Sequence, residues 1–355
     1  MQSIVIDLKE NNKNPLYYFI FFFAAALYIN TIGHDYAFDD TAVLAHAKYG
    51  LKELFTNDLF SPVYGQPLDI GVRWRPLLLL TFAIENEFFG SSPFIGHAIN
   101  ILLYGIAAVV LFITLSRMLP QGGMVAFVAT LIFIAHPIHT EVVANIKSRD
   151  EILAFLFLLL TLLFLIRFSS SDSKKDLIYS CIAFSLALLS KEIAITFVAV
   201  IPLFLFCFTP KKWRQGLVLA VPFIILVGIY LAVRASLFFG YIIGDQNKDA
   251  LENHFYGVPL ADKFATISYI FGKYFMLLCF PHPLACDYSF NQIPIVHWTN
   301  AGAFLPAILC ISLLFFAVKI IWNFRNKLSV AEAHNESKPG RWKVVLAFCV
   351  LFYFI

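Results

Sequence analysis

The chain has 355 residues, of which 60% are hydrophobic and 14% charged, with a mean hydropathy of +0.77. Those proportions exclude a soluble domain and define a polytopic membrane protein. A formal net charge of +3 is too small to argue for nucleic acid as a partner.

In chain order, Lys9 and Lys13 precede the first apolar run, Leu16 to about Ile32, so positive charge holds the amino end in the cytoplasm. Ala24-Ala25-Ala26 imitates a signal-peptidase site, but the apolar run continues past it, as in an uncleaved anchor. The following segment, 34–97, is too polar to span and is expected outside. Its amphipathic pieces, around Thr41 to Phe55 and Leu77 to Phe89, read as helices lying on the membrane surface. Apolar runs follow at about 98–116, 124–137, 152–168, 177–189, 193–208 and 217–239. Arg117, then Arg167 with Lys174 and Lys175, then Lys211, Lys212 and Arg214 mark successive inner loops, which puts 136–150, 190–192 and 240–300 outside.

The run 265–280 is interrupted by Lys273. If it spanned, Arg325, Lys327, Lys338, Arg341 and Lys343 would all lie outside, so it reads as re-entrant or interfacial. Spans at about 301–322 and from 343 onward complete at least nine crossings. The sequence stops within the last, at Phe352-Tyr353-Phe354-Ile355, which suggests a piece of a longer protein. The resulting division is 1–33 (amino end and first span), 34–97 (first outer loop), 98–239 (bundle core), 240–300 (second outer loop) and 301–355 (last spans). The five Trp residues lie near expected span ends, where amphipathic rings prefer the interface. Cys181, Cys207, Cys310 and Cys349 sit in apolar runs as small buried hydrophobes, while Cys279 and Cys286 are positioned to pair if their loop is extracytoplasmic.

The polar residues beside these runs carry the chemistry. Asp39 and Asp40 are adjacent acids just outside the first span, suited to seat a base beside a cation or a donor phosphate; the alternative is that one of them only caps a helix beginning near Thr41. His136-Pro137-Ile138-His139-Thr140-Glu141, with Lys147, Arg149, Asp150 and Glu151 close behind, is a density of ionisable groups that near hydrocarbon asks for a water-filled cavity. His136 and His139, three apart, are a weak zinc pair because Pro137 disturbs regular helix. Lys191, Arg149 and Arg234, with Arg75 from the outer segment, are candidate phosphate ligands; the alternative for Ser190-Lys191-Glu192 is a self-neutralising interfacial pair.

Six segments in order resemble one family: Phe38-Asp39-Asp40; Arg75-Pro76-Leu77; Gly96-His97-Ala98-Ile99-Asn100; His136 to Glu141 with Arg149-Asp150-Glu151; Ser190-Lys191-Glu192 through Thr196; and Phe280-Pro281-His282-Pro283-Leu284 with Cys286-Asp287-Tyr288-Ser289. They look like the membrane half of the transmembrane and tetratricopeptide-repeat-containing protein O-mannosyltransferases, over roughly residues 35–295. The resemblance implies an all-α polytopic membrane protein of the GT-C glycosyltransferase fold, with a lipid-linked polyprenyl-phosphate sugar donor and transfer to a protein hydroxyl. It implies that Asp39 and Asp40 do the chemistry in the first outer loop, with His97, Asn100, His136, His139, Glu141, Asp150 and Glu192 supporting the pocket. Its departure is the lack of any tetratricopeptide repeat, which leaves the acceptor open. A divalent cation is a possible cofactor. A single displacement at the anomeric carbon, with one base and no enzyme nucleophile, implies inversion, by analogy with hydrolases. A glycan polymerase or ligase, and less readily a transporter, are the competing classes.

Overall fold

The computed structural model describes residues 15–37, 39–44, 50–60, 72–119, 123–209, 211–243, 254–285, 288, 292–327 and 341–355. Among these the chain is all-α: fourteen α-helices joined by short 3-10 segments, with no strand. In order they are α1 (Pro15–Tyr28), α2 (Asp40–Leu44), α3 (Leu51–Thr56), α4 (Pro76–Phe89), α5 (Pro93–Met118), α6 (Gly123–Ala135) and α7 (Thr140–Ala144). Then come α8 (Arg149–Ser171), α9 (Lys174–Ser190), α10 (Phe197–Phe208), α11 (Trp213–Ile243), α12 (Leu260–Cys279), α13 (Ala301–Lys327) and α14 (Arg341–Phe354).

All nine apolar runs read from the sequence are helical. Among the described residues, five helical stretches are long and apolar enough to cross a membrane alone, namely Pro15–Gly33, Pro93–Met118, Arg149–Ser171, Trp213–Phe239 and Ala301–Phe324. A sixth is gained if α6 and its bent continuation to Ala144 form one span. The expectation of at least nine crossings is therefore larger than length and composition support. Helix α9 has 17 residues and opens on Lys174, Lys175 and Asp176, α14 has 14, and α10 follows a 3-10 turn, Glu192–Thr196. The stretch expected to be re-entrant or interfacial lies in α12, one unbroken helix of 20 residues along α13.

Helices α8 and α9 form the central antiparallel hairpin, closed by Asp172 in the left-handed conformation (φ 49°) that a short polar side chain tolerates. Helix α1 packs on α5, α5 on α8, and α11 on α10 and α9. The lipid-exposed character is plainest in α13, whose apolar window is only 6% buried. Such exposed apolar surface costs nothing against hydrocarbon and would aggregate in water.

The first outer segment has a small core of its own. Val43, Leu54, Leu59, Phe60, Leu78, Leu79, Phe82 and Ile146 are buried together. Thus the amphipathic pieces do become helices, but their apolar faces turn largely inward onto one another and onto the 145–148 turn. The far end of α4, with Ile84, Phe88 and Phe89 exposed, keeps a surface-seeking face, and Phe55 of α3 is exposed as well. Trp74 departs from the interfacial expectation: it is buried, donates from Nε1 to the Phe55 carbonyl at 2.9 Å and packs on Tyr230. Of the four cysteines expected to be buried, Cys207 is, Cys181 and Cys310 are half-buried and Cys349 is exposed on the outside of α14. The Cys279–Cys286 pairing lies outside the described residues.

Helix α6 stops where Pro137 forces His136 into an extended conformation (φ −69°, ψ 124°), and the chain bends by 51°. The bend lays residues 137–148 across the top of α5 and delivers Arg149 into the bundle. Arg149 is fully buried. Its Nε donates to Asn100 Oδ1 at 2.8 Å, Nη2 to the Gly96 carbonyl at 3.2 Å and Nη1 to Thr81 Oγ1 at 3.3 Å, while Nη1 also pairs with Glu85 Oε2 at 2.8 Å. The guanidinium lies over the Phe82 ring, 4.4 Å from its centroid. Gly96 also lets Ile146 of the preceding turn lie close against α5, since a Cβ there would stand 2.8 Å from Ile146 Cδ1. Removing one partner of such a buried pair strands the other charge. Arg149→Met is expected to destabilise the protein by about 3–5 kcal/mol, and the double change with Glu85→Leu to recover part of that loss. Melting in detergent followed by intrinsic fluorescence checks this; unchanged melting of Arg149→Met would remove Arg149 from the structural frame.

Candidate active site

The five residues 147–151, Lys-Ser-Arg-Asp-Glu, head α8, and four of them bear charges that reach four different elements. Acids in a first helical turn are favoured by the helix dipole, and Asp150 and Glu151 occupy it here. Lys147 faces Asp39, Arg149 enters the cage just described, Asp150 meets Arg75, and Glu151 meets Lys191. The turn is held from behind by Ser148 Oγ donating to Glu141 Oε1 (3.1 Å) and Asn100 Nδ2 donating to the Asn145 carbonyl (3.0 Å).

The two adjacent acids separate sharply. Asp40 is 1% exposed; its Oδ1 accepts from the Lys147 backbone N–H (2.8 Å) and its Oδ2 from the Ala37 N–H (3.0 Å). The Asp40 N–H returns a bond to the Ala37 carbonyl at 3.0 Å, so Ala37 and Asp40 are bonded to each other reciprocally. Asp40 therefore clips the outer loop to the head of α8. Asp39 contributes its backbone carbonyl to the start of α2, accepting from Val43 N–H at 3.1 Å, but its carboxylate has no hydrogen bond among the described residues. That carboxylate is 49% exposed, with Lys147 Nζ 3.8 Å away. Side-chain capping thus belongs to neither acid in the form expected for a helix beginning near Thr41. Asp40 locks the preceding turn, and Asp39 is left free.

The four candidate phosphate ligands also divide. Arg149 is excluded as an open ligand because every donor nitrogen on it is engaged in the interior. Arg75 is almost as fully engaged: Nη1 meets Asp150 Oδ2 at 2.5 Å, and Nε and Nη2 form a fork on Glu192 at 3.0 and 2.6 Å. Burial would lower the Arg75 pKa, but Glu192 and Asp150 outweigh it and hold the guanidinium above its ordinary value. Burial likewise pushes Glu192 up, and the Arg75 fork reverses this and keeps Glu192 below the usual carboxylate range. Lys191 pairs with Glu151 while remaining partly open, its side chain 17% exposed. Arg234 donates from Nη2 to the Val72 carbonyl at 2.6 Å, and its Nε is buried without a hydrogen-bond partner. Tyr230, one turn earlier on α11, lies within electrostatic reach of Arg234, Arg75 and Glu192 and donates to the Trp74 carbonyl at 3.4 Å. The pair with unused capacity is Lys191 and Arg234.

The histidines are largely structural. His136 Nδ1 accepts from the Ile138 N–H at 3.3 Å and Nε2 faces the Leu278 carbonyl at 3.2 Å, which leaves neither nitrogen for a metal. His139 packs against Phe133 with its ring tilted by 44°, centroids 4.3 Å apart. The zinc pair is thereby lost, and no group of three or more His, Cys, Asp or Glu suited to a metal occurs among the described residues. His97 is buried with both ring nitrogens lacking a hydrogen bond of full geometry, facing the Asp35 backbone, Asp40, His34 and Arg149. Asn100 and Glu141 hold the 145–149 turn as described.

The described residues of the expected outer segments, 34–97, 136–150 and 190–192, come together with Arg234 at one end of the bundle. Glu85, the partner of Arg149, was not singled out from sequence, and Glu151, the partner of Lys191, was named only as part of the charged cluster. Glu85 carries a legible signal, falling with Leu78 and Phe82 on the apolar stripe of α4.

The match to known proteins runs through these elements. Residues 75–238 match the family model described as Dolichyl-phosphate-mannose-protein mannosyltransferase. Protein O-mannosyl-transferase TMTC2 of Homo sapiens is 28% identical over 306 residues, covering 78% of this chain and 36% of that protein. The Xenopus laevis tmtc2 protein is 29% identical over 325 residues (82% and 38%), and human TMTC1 is 35% identical over 153 residues (40% and 17%). The chain thus spans little over a third of the length of its TMTC2 relatives. No solved structure matches it.

Loss of one acceptor from Asp40 tests the clip. Asp40→Asn retains one carbonyl oxygen for two backbone donors and is expected to cost about 1–3 kcal/mol. Protection of the Lys147 and Ala37 amides in hydrogen exchange should fall with it; full protection would show the clip to be dispensable. Over residues 75–238 the chain is thus similar to the Dolichyl-phosphate-mannose-protein mannosyltransferase family model, and over about four fifths of its length to the TMTC2 protein O-mannosyl-transferases.

Proposed function

We propose that the chain moves a sugar, mannose by its relatives' names, from a polyprenyl-phosphate donor to a protein Ser or Thr hydroxyl on the extracytoplasmic side of the membrane. The observation that carries this reading is the division between the acids: Asp40 is consumed in fixing the loop, and Asp39 stands open beside Lys147. Asp39 takes the proton from the acceptor hydroxyl as the oxygen attacks the anomeric carbon. The glycosidic bond forms as the bond to the donor phosphate breaks, and the polyprenyl phosphate leaves with its electron pair. Lys191 and Arg234 hold that phosphate, with charge-assisted contacts that strengthen as its charge develops. Arg75 acts at one remove by fixing Glu192 and Asp150. A one-step displacement inverts the anomeric carbon.

The family match supports donor class and protein acceptor; the positive-inside pattern supports the side. Purified protein supplied with labelled polyprenyl-phosphate mannose or glucose and an acceptor peptide tests the whole scheme. Asp39→Asn is expected to lose at least about a hundredfold in turnover while melting normally and retaining donor binding. Near-normal turnover of that variant would end the base assignment. A retained anomeric configuration in the product would end the one-step mechanism.

A further inference from the structure

The end of the bundle opposite Asp39 is as cationic as the positive-inside pattern expects. At the turns after α5, α8 and α10 lie seven Lys and Arg residues, against Asp172 and Asp176 alone. Arg167 is engaged with Asp176 (3.3 Å) and Lys211 with Asp172 (2.6 Å). Between the end of α8 and the start of α11 is an open cavity of about 340 Å³, lined by Phe168, Lys211, Arg214, Gln215, Val218 and Leu219. Lys211 Nζ stands 5.4 Å from the centroid of the Phe168 ring. Arg214 is exposed and makes no hydrogen bond or ion pair among the described residues.

Polarity changes along this cavity in one direction. Its mouth has two cations and an amide, and its floor is Val218 and Leu219. Beyond the floor, Val218, Val221 and Ile225 continue along α11 as exposed apolar residues, 68%, 47% and 56% open, at the spacing of one helical face. Trp213 marks the boundary, edge-on to Phe206. A charged head followed by an apolar track is the polarity profile of a phospholipid. A free phosphate would use the head and leave the track uncovered. A zwitterionic headgroup brings its own cation into an already cationic site, whereas an anionic one does not.

We infer that this cavity holds the headgroup of an anionic phospholipid, its phosphate between Lys211 and Arg214 and an acyl chain along Val218, Val221 and Ile225. The site is remote from Asp39 and independent of the reaction proposed above. It is tested by native mass spectrometry of the full chain in neutral detergent, titrated with phosphatidylglycerol, phosphatidylcholine or water-soluble glycerol phosphate. Phosphatidylglycerol is expected to bind and the other two not. The double change Lys211→Gln with Arg214→Gln should weaken binding roughly twentyfold, each membrane-surface cation contributing about fivefold. Arg214→Gln alone, at an exposed side chain, should give about fivefold without risk to the fold. The double change Lys174→Gln with Lys175→Gln, at the same end but outside the cavity, should change nothing. Equal weakening by both double variants would reduce the effect to general surface charge and overturn the site. Equal binding of phosphatidylcholine, or glycerol phosphate binding as tightly as the lipid, would overturn the assignment of the occupant.

Discussion

Burying the Arg149 guanidinium is the constraint on which the upper half of the molecule depends. A cation taken wholly out of water is tolerated only where its donors are matched, and this one draws Asn100 and Gly96 from α5, Thr81 and Glu85 from α4 and its own helix α8 to a single point. Three elements are thereby fixed against one another. Because Lys147, Asp150 and Glu151 are within two residues of that point, fixing Arg149 also fixes the bases of the three ion pairs around it. The outer loop then needs only one further attachment, the Asp40 clip to the Lys147 amide, to bring Asp39 to the same rim.

The helices were legible because apolar runs in a chain this hydrophobic have few alternatives once backbone groups must be satisfied internally. All nine runs are helical. What the sequence could not settle was which of them suffice to cross, since hydropathy sees the run but not the breaks and short lengths that Pro137, the 192–196 turn and α9 impose. The short helices of the first outer segment were visible from amphipathic spacing. Their destination was not, because an apolar face looks the same in sequence whether it meets lipid or Leu54 and Phe82.

The site was legible as a set of residues and not as a set of roles. A charge beside an apolar run announces that it has a partner, yet spacing does not name the partner. Arg149 and Lys191 read alike in sequence, and only the fold shows one enclosed among α4, α5 and α8 and the other at the rim. The same holds for Asp39 and Asp40, whose side chains diverge because adjacent residues project differently from the backbone. Glu85 was the missing acid, hidden in an amphipathic pattern that it interrupts.

Carboxylate pairing of the rim cations bears on how a donor would enter. Lys191 is not bare in the resting protein; Glu151 holds it, and Glu151 is itself 40% exposed. On the proposed reading, an arriving phosphate would exchange one anion for another on Lys191, and the carboxylate released would return to water rather than be stranded, which keeps the cost of exchange small. Arg75 offers no such exchange, because displacing Asp150, 1% exposed, would leave a carboxylate unpaired in a dry environment, and Glu192 holds the remaining donors in a two-bond fork. Exposure of the partner acid, more than the number of cations present, decides which of them can take a phosphate. By that criterion the proposed reading favours Lys191 over Arg75, while the Nε of Arg234 is buried and would have to be uncovered before it met a phosphate.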